Sequence, residues 1–92
     1  MIRSFRCDET KAIFEGEGSL KFRSIERPAK RRLDLLAAAT SLRDLAAIRS
    51  NHLEALAGNR KGQHSIRVNQ QWRICFVWER ADAWQVEIVD YH

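Results

Sequence analysis

The feature that most constrains this chain is a change of period near its middle. From His64 onward, apolar side chains recur at every second position. His64, Ile66 and Val68 alternate with Ser65, Arg67 and Asn69. Trp72, Ile74, Phe76 and Trp78 alternate with Arg73, Cys75, Val77 and Glu79, and Trp84, Val86 and Ile88 with Gln85, Glu87 and Val89. Successive side chains of a strand point to opposite faces, so each run reads as a strand with one buried face. Short polar breaks between the runs make them an antiparallel meander.

The first half has helical spacing instead. Residues 1–7 read as a short strand on Ile2 and Phe5. Asp8 is placed to cap a helix through Ala12 and Phe14, stopped by Gly16 and followed by a loop over residues 16–19. Arg27-Pro28 opens a second helix with Pro28 at its first position, where a missing N–H breaks no bond. Ala29, Leu33, Leu36 and Thr40 share one face of it, with Lys30, Arg31 and Asp34 off that face. Ser41 with Asp44 has the spacing of a capping box for a short turn carrying Leu42 and Leu45. Residues 52–56 read as a short strand, and residues 57–62 as a loop with the basic pair Arg60-Lys61. The expected architecture is α+β: an N-terminal strand and a two-helix hairpin packed on a mainly antiparallel sheet, in a single domain of residues 1–92.

Composition narrows the classes. With 45% hydrophobic and 30% charged residues the chain is expected to be globular rather than disordered. Sixteen Lys and Arg against twelve Asp and Glu give a net charge of +4, which fits a nucleic-acid partner without requiring one. Cys7 and Cys75 make neither a disulfide framework nor a zinc knuckle, and Cys75 reads as a core residue. The sequence holds no signal-like apolar stretch and no run long enough to span a bilayer, so a cytoplasmic protein with no membrane, metal or cofactor requirement is expected.

Parity sets the register. The apolar sets are even-numbered, so burying them together requires even residues to face even residues. A three-residue turn through Asn69-Gln70-Gln71 does this, setting Val68 opposite Trp72 and Arg67 opposite Arg73. The same logic brings Phe76 near Val86 and Arg73 near Val89, with Tyr91 diagonally beside Arg73. Arg67, Arg73 and Tyr91 then share one face, while His64, Trp72, Trp78 and Trp84 point to the core. Two arginines directly opposite each other destabilise a sheet unless an anion compensates. Glu87 lies on that face and is one candidate; a phosphate, whose oxygens match a guanidinium fork, is another. A solvated charged face is the alternative, and one β-bulge would break the parity. Strict alternation points His92 to the opposite side.

Several stretches carry more than pattern: Leu56-Ala57-Gly58-Asn59-Arg60-Lys61-Gly62, Ser65-Ile66-Arg67-Val68-Asn69, Gln71-Trp72-Arg73-Ile74-Cys75-Phe76 and Glu87-Ile88-Val89-Asp90-Tyr91-His92. Together with Met1-Ile2-Arg3-Ser4-Phe5, they resemble the RelE/ParE superfamily in its HigB subgroup, the plasmid maintenance system killer toxins, over the whole chain. The resemblance implies a ribosome-dependent mRNA endoribonuclease that cuts in the ribosomal A site by metal-independent attack of a ribose 2′-OH. It implies contacts with mRNA and ribosomal RNA, and a HigA-like helix-turn-helix antitoxin through which operator DNA is bound indirectly. It assigns Arg73 to the scissile phosphate, His92 to proton transfer and Tyr91 to orienting the 2′-OH or stacking, with Arg67, Arg60 and Lys61 on phosphate or RNA backbone. Some members carry a catalytic histidine and lysine where this chain has Glu54 and Ala57, so the alternatives are compensation by Lys61, Arg60 or His52, a weakened site, or Glu54 as a base. A ParE-like gyrase inhibitor that cuts nothing, or an inactive toxin kept as co-repressor, are the competing functions.

Overall fold

The computed structural model describes residues 1–90, so Tyr91 and His92 lie outside the described residues. These residues form three α-helices, α1 (Asp8–Phe14), α2 (Glu26–Ala38) and α3 (Leu42–Ala47), followed by β1 (Glu54–Ala55), β2 (Gln63–Arg67), β3 (Trp72–Glu79) and β4 (Asp82–Asp90). The strands make an antiparallel sheet in the order β1-β2-β3-β4. This is the expected α+β arrangement.

The core lies between the even face of the sheet and the helices. Ile66, Ile74, Phe76, Val86 and Ile88 meet Ile13, Phe22, Ala29, Leu33, Leu36 and Leu45 in one buried cluster. Trp72 and Trp78 pack on its edge, Trp72 edge-on to Phe22 at 5.3 Å and Trp78 edge-on to Phe76 at 6.3 Å. His64 is half-buried and stacks on Phe76 at 6.2 Å, as parity requires.

The helices begin a little differently from expectation. Asp8 is the first residue of α1 and Cys7 its cap, with no side-chain capping bond; Asp8 and Glu9 instead place negative charge at the positive helix end. The α2 helix starts at Glu26, out of a tight turn at Arg23–Ile25, so Pro28 sits third rather than first. It is tolerated there because the first four N–H groups of a helix have no partner within it. Ala39 turns extended and ends α2, which leaves Thr40 exposed. Thr40 is used in the next cap: Ser41 Oγ accepts from Asp44 N at 3.1 Å, and the Asp44 carboxylate accepts from Thr40 N and Oγ1, each at 2.8 Å. The Thr40 backbone bond is the main reason the Asp44 carboxyl lies below its usual range.

The expected N-terminal strand is reduced to two isolated parallel bridges on β4, Ile2 with Ala83 and Phe5 with Val86. A β-bulge explains both this and the chief failure of parity. Cys75 pairs with Glu87 but Val77 pairs with Trp84, so Gln85 and Val86 together face Phe76. Gln85 takes a positive φ of 53°, and its N–H donates to Ser4 Oγ at 2.8 Å. Before the bulge, β4 is therefore one residue out of phase. Ala83 enters the core, and Trp84, expected there, is 36% exposed on the other face.

The β3–β4 turn is tight and carries no glycine. Glu79 pairs with Asp82, leaving Arg80 and Ala81 as a two-residue loop with φ of 54° and 67°. Two positive φ values are the signature of the hairpin turn that favours Asn-Gly, and left-handed backbone costs an ordinary residue roughly 1–2 kcal/mol. Replacing the pair by Arg80→Asn with Ala81→Gly is expected to stabilise the fold by about 1–2 kcal/mol. The urea unfolding midpoint checks this: an unchanged or lower midpoint would mean the turn stores no such strain.

Candidate functional site

At one end of the odd face, a cleft of about 290 Å3 is lined by His52, Glu54, Arg67, Asn69, Gln70 and Arg73. The expected Arg67–Arg73 cross-strand pair is present, and Arg73 pairs on its other side with Val89. The turn between β2 and β3 forms because Asn69 Oδ1 accepts from both Gln71 N and Trp72 N at 2.8 Å, so one side chain caps two backbone donors. Arg67 Nε donates to Asn69 O at 3.1 Å, which ties that guanidinium to the turn.

Arg73 is held hard. It is only 8% exposed. Its Nε donates to Ser65 Oγ at 2.7 Å, and its Nη2 donates to Ser65 O at 3.3 Å and to His52 O at 2.5 Å. These acceptors are neutral oxygens: they fix the plane of the guanidinium and add no formal negative charge. Ser65 is delivered by β2, and Glu54 by β1, which pairs Glu54 with Ser65. His52 presents its carbonyl from a left-handed conformation, φ 44°, just after the tight turn Arg49–Asn51. Asn51 is fully buried, accepting from Arg32 Nη1 at 2.6 Å and donating to Leu45 O at 3.0 Å. Helix α2 thus reaches Arg73 through Arg32, Asn51 and the His52 carbonyl.

Other expectations change. Glu87 does not compensate the arginine pair, because it binds Arg60 at 3.1 Å and Arg6 at 3.7 Å. Arg60 also donates to Gln63 Oε1 at 3.1 Å and lines a separate cleft of about 350 Å3 with Arg6, Asn59, Gln63 and Glu87. Arg60 and Arg73 therefore belong to different clefts. Lys61 is exposed and lines neither. Tyr91 and His92 lie outside the described residues. The centre of the odd face is not open, since Ser65 and Cys75 are fully buried.

Cys75 is buried as expected, but beneath this charged face rather than in the apolar cluster. Burial raises its thiol pKa, Arg60 draws it partly back and Glu87 adds to the rise. A buried, protonated thiol is a poor nucleophile. Cys7, half-buried, is expected to react with a thiol reagent in the native protein at neutral pH, and Cys75 only on unfolding. Mass mapping of the labelled cysteines checks the order, and native labelling of Cys75 would contradict its burial.

A larger cleft of about 830 Å3 lies between α1 and α2, away from this face. Its charges are mixed, and several are satisfied internally, with Lys30 on Asp34 at 2.7 Å and Glu26 accepting from Ser19 N at 2.7 Å. That is poor chemistry for an anion, and the smaller cleft at Arg73 is the better candidate. Among the described residues, no cluster of three His, Cys, Asp or Glu could hold a metal, and no helix is long and apolar enough to cross a membrane. Sequence reasoning missed Asn51, the His52 carbonyl and Ser65. Only Asn51-His52, two residues able to adopt or cap unusual backbone, offered a local hint.

Comparison with known families decides the identity. The family model of HigB, the RelE-like toxin of a type II toxin–antitoxin system, matches residues 3–92. The chain belongs to the HigB-like toxin family. The Endoribonuclease HigB of Proteus vulgaris is 32% identical over an alignment of 94 positions spanning all of both chains. The Toxin HigB-1 of Vibrio cholerae is 47% identical over 55 residues, and that match spans 60% of this chain and 58% of the relative. In structure, the HigB-like fold resembles the crystal structure of the heterotetrameric YoeB–YefM toxin–antitoxin complex from Staphylococcus aureus. The TM-score is 0.58 at 14% identity, with 100% of this chain and 98% of that one covered, a likeness of fold alone.

Proposed function

We propose that this HigB-like toxin is a ribosome-dependent mRNA endoribonuclease acting in the ribosomal A site, with the cleft at Arg73 as its catalytic centre. The observation that carries this is the immobilised, nearly buried Arg73 guanidinium beside Arg67 and Glu54. A preorganised charge aimed at developing charge is worth far more than a mobile one in water. The name of the Proteus vulgaris relative supports the activity, and the YoeB–YefM complexes support an antitoxin partner.

The chemistry is attack of a ribose O2′ on the adjacent phosphorus. As the O2′–P bond forms, the proton leaves O2′ and negative charge grows on the non-bridging oxygens. The P–O5′ bond then breaks, O5′ takes a proton, and a 2′,3′-cyclic phosphate remains. Arg73 holds the phosphate and stabilises the added charge, and Arg67 supplies a second guanidinium from the facing strand. Glu54 stands on the cleft wall where it can accept the O2′ proton, taking the place of the histidine of other members. His92 is the proton donor to O5′, an imidazole being the side chain suited to proton transfer near neutral pH, and Tyr91 orients the 2′-OH. Lys61 contacts RNA backbone electrostatically. Arg60 is proposed to do the same through the side of its guanidinium not held by Glu87. A HigA-like helix-turn-helix antitoxin neutralises the toxin and carries it to operator DNA, all within the cytoplasm.

The test is tightly controlled expression of the wild type, Arg73→Ala and a His92 deletion, with mRNA ends mapped on translated and untranslated messages. Cuts within translated messages by the wild type alone are expected. Growth arrest by all three would sink the catalytic reading. Cuts in untranslated RNA would remove the ribosome from it, and lost DNA supercoiling without RNA cuts would favour a gyrase inhibitor. Replacing Glu54 by Gln is expected to lower cleavage about 10²–10⁴-fold, the usual loss of a general base, with half-saturation little changed. A plateau rate within a few-fold of wild type would remove Glu54 from proton transfer.

A further inference from the structure

The bulge at Gln85 has a chemical result beyond register. It turns Trp84 onto the face that carries Arg67 and Arg73, directly across from Val77. Unbulged alternation would have buried this indole with Val86 and Ile88. Instead the chain holds a non-glycine residue at φ 53°, and the strain accompanies an exposed tryptophan. Retained backbone strain of this kind clusters at ligand sites.

The indole is oriented as well as exposed. Its Nε1 donates to Glu79 O at 3.3 Å, so the polar edge of the ring is satisfied and what is exposed of the indole is left for apolar or stacking contact. Arginines flank it. Arg3 binds Asp82 at 3.0 Å two residues before Trp84, and Arg6 binds Glu87 at 3.7 Å three residues after, with the two arginine side chains 49% and 58% exposed. Each carboxylate fixes its arginine along the strand while leaving guanidinium surface in solvent. An aromatic face between arginines that track a backbone is the composition of a single-stranded nucleic-acid contact, in which the base stacks and the cations follow the phosphates. Val77 lies four strand residues from Arg73, about 13 Å at 3.3 Å per residue. A strand whose phosphate rests on Arg73 would thus meet Trp84 only beyond its nearest neighbours.

We propose that Trp84 is a stacking platform for an unpaired base of the message, downstream of the nucleotide held at Arg73. This second RNA subsite makes binding depend on RNA outside the cleft. It rests on the endoribonuclease reading above, since it takes the bound strand to be RNA held at Arg73. The message is the occupant favoured because Trp84 and Arg73 lie on one sheet face, with the Arg60–Glu87 pair over the buried Cys75 between them, and because arginines flank the indole. Upstream bases are paired to tRNA, which leaves the downstream side.

The experiment is single-turnover cleavage on programmed ribosomes, read as plateau rate and half-saturating toxin concentration. Trp84→Leu keeps apolar bulk and removes the π face, Trp84→Phe keeps a smaller π face, and thermal melts confirm that both fold. Trp84→Leu is expected to raise half-saturation roughly 5- to 150-fold, the range for loss of one stacked base, with a much smaller change in plateau. Trp84→Phe should remain within about threefold of wild type, because a phenyl ring still stacks. Shortening the message to end at the A-site codon should abolish the difference between wild type and Trp84→Leu. Equal half-saturation for Trp84→Leu and wild type on the long message would overturn the proposal. A difference that survives shortening would give the base to ribosomal RNA, and weaker antitoxin capture with unchanged cleavage would make the face a protein contact; either result also overturns it. Arg73→Met serves as the separate control: wild-type plateau there would defeat the cleavage-site reading, while Trp84 would still be judged on half-saturation.

Discussion

Replacing Arg73 with methionine is expected to lower plateau cleavage by about 10²–10³-fold while lowering the melting temperature only modestly. The two halves of this result come from one observation. Arg73 is a nearly buried charge whose Nε and Nη2 donate to Ser65 and to the His52 carbonyl. Removing water from a guanidinium is expensive, so shedding that cost offsets much of what is lost when Ser65 Oγ, Ser65 O and the His52 carbonyl lose their donor. Methionine has the length and flexibility to fill the slot between β2 and β4. Rate and stability therefore respond on different scales, since the charge matters to a phosphate far more than to the fold. Lysine should fail nearly as badly as methionine in activity, since a single ammonium cannot reproduce the three directed bonds to Ser65 and His52 and still reach a phosphate. Paired kinetics and thermal melts decide it. Loss of stability in proportion to loss of activity would make Arg73 structural, and full activity in the lysine variant would mean that charge alone suffices.

How much of this was legible in the sequence depends on what each feature rests on. The even–odd alternation of β2, β3 and the last part of β4 gave the faces and the Arg67–Arg73 and Arg73–Val89 pairs, because one buried face fixes register strongly. The helices were legible for the same reason: Ala29, Leu33 and Leu36 are buried at the spacing that announced them. What failed was where a side chain or a backbone exception overrides period. Trp84 was read into the core because apolar character and even parity agreed, yet a single bulge, stabilised by Ser4 from the far end of the chain, reversed it. No local signal near Gln85 announces that partner. Arg60 read as a free basic loop residue because nothing in residues 57–62 shows that Glu87 stands opposite. Arg73 itself was recognisable through family resemblance, but its acceptors were not, since two of them are backbone carbonyls and carbonyls have no sequence signature.

The hidden support of Arg73 leads to the other large effect. Asn51→Ala is expected to destabilise the fold by roughly 3–4 kcal/mol and to reduce cleavage even at temperatures where the variant is fully folded. Asn51 is fully buried and uses both ends of its amide, accepting from Arg32 and donating to Leu45 O. Truncation leaves the Arg32 guanidinium with Ser50 Oγ at 3.2 Å and Leu45 O with Ile48 N at 3.3 Å, each short of one bond. A bond to a charged group contributes about 1.5–3 kcal/mol, and the bond to Leu45 O, which keeps a second donor in Ile48 N at 3.3 Å, adds about 0.5–1.5 kcal/mol. For a domain of this size, each kcal/mol lowers the melting temperature by about 4–8 °C, so a drop of more than about 12 °C is anticipated. The effect on cleavage follows from position. Asn51 ends the turn that throws His52 into its left-handed conformation, and the His52 carbonyl is one of the oxygens holding Arg73. Once the turn loosens, Arg73 samples other directions and loses its aim at the phosphate, a fault in plateau rate rather than in half-saturation. Asn51→Asp separates the two consequences. It keeps an acceptor for Arg32, now charged, but sets a carboxylate against Leu45 O, so it should fall between wild type and alanine in both stability and rate. An alanine variant that melts as the wild type does would show that the amide holds nothing. One that melts low yet cleaves at the full plateau rate would cut the link between the turn and Arg73, leaving Ser65 as the support that matters.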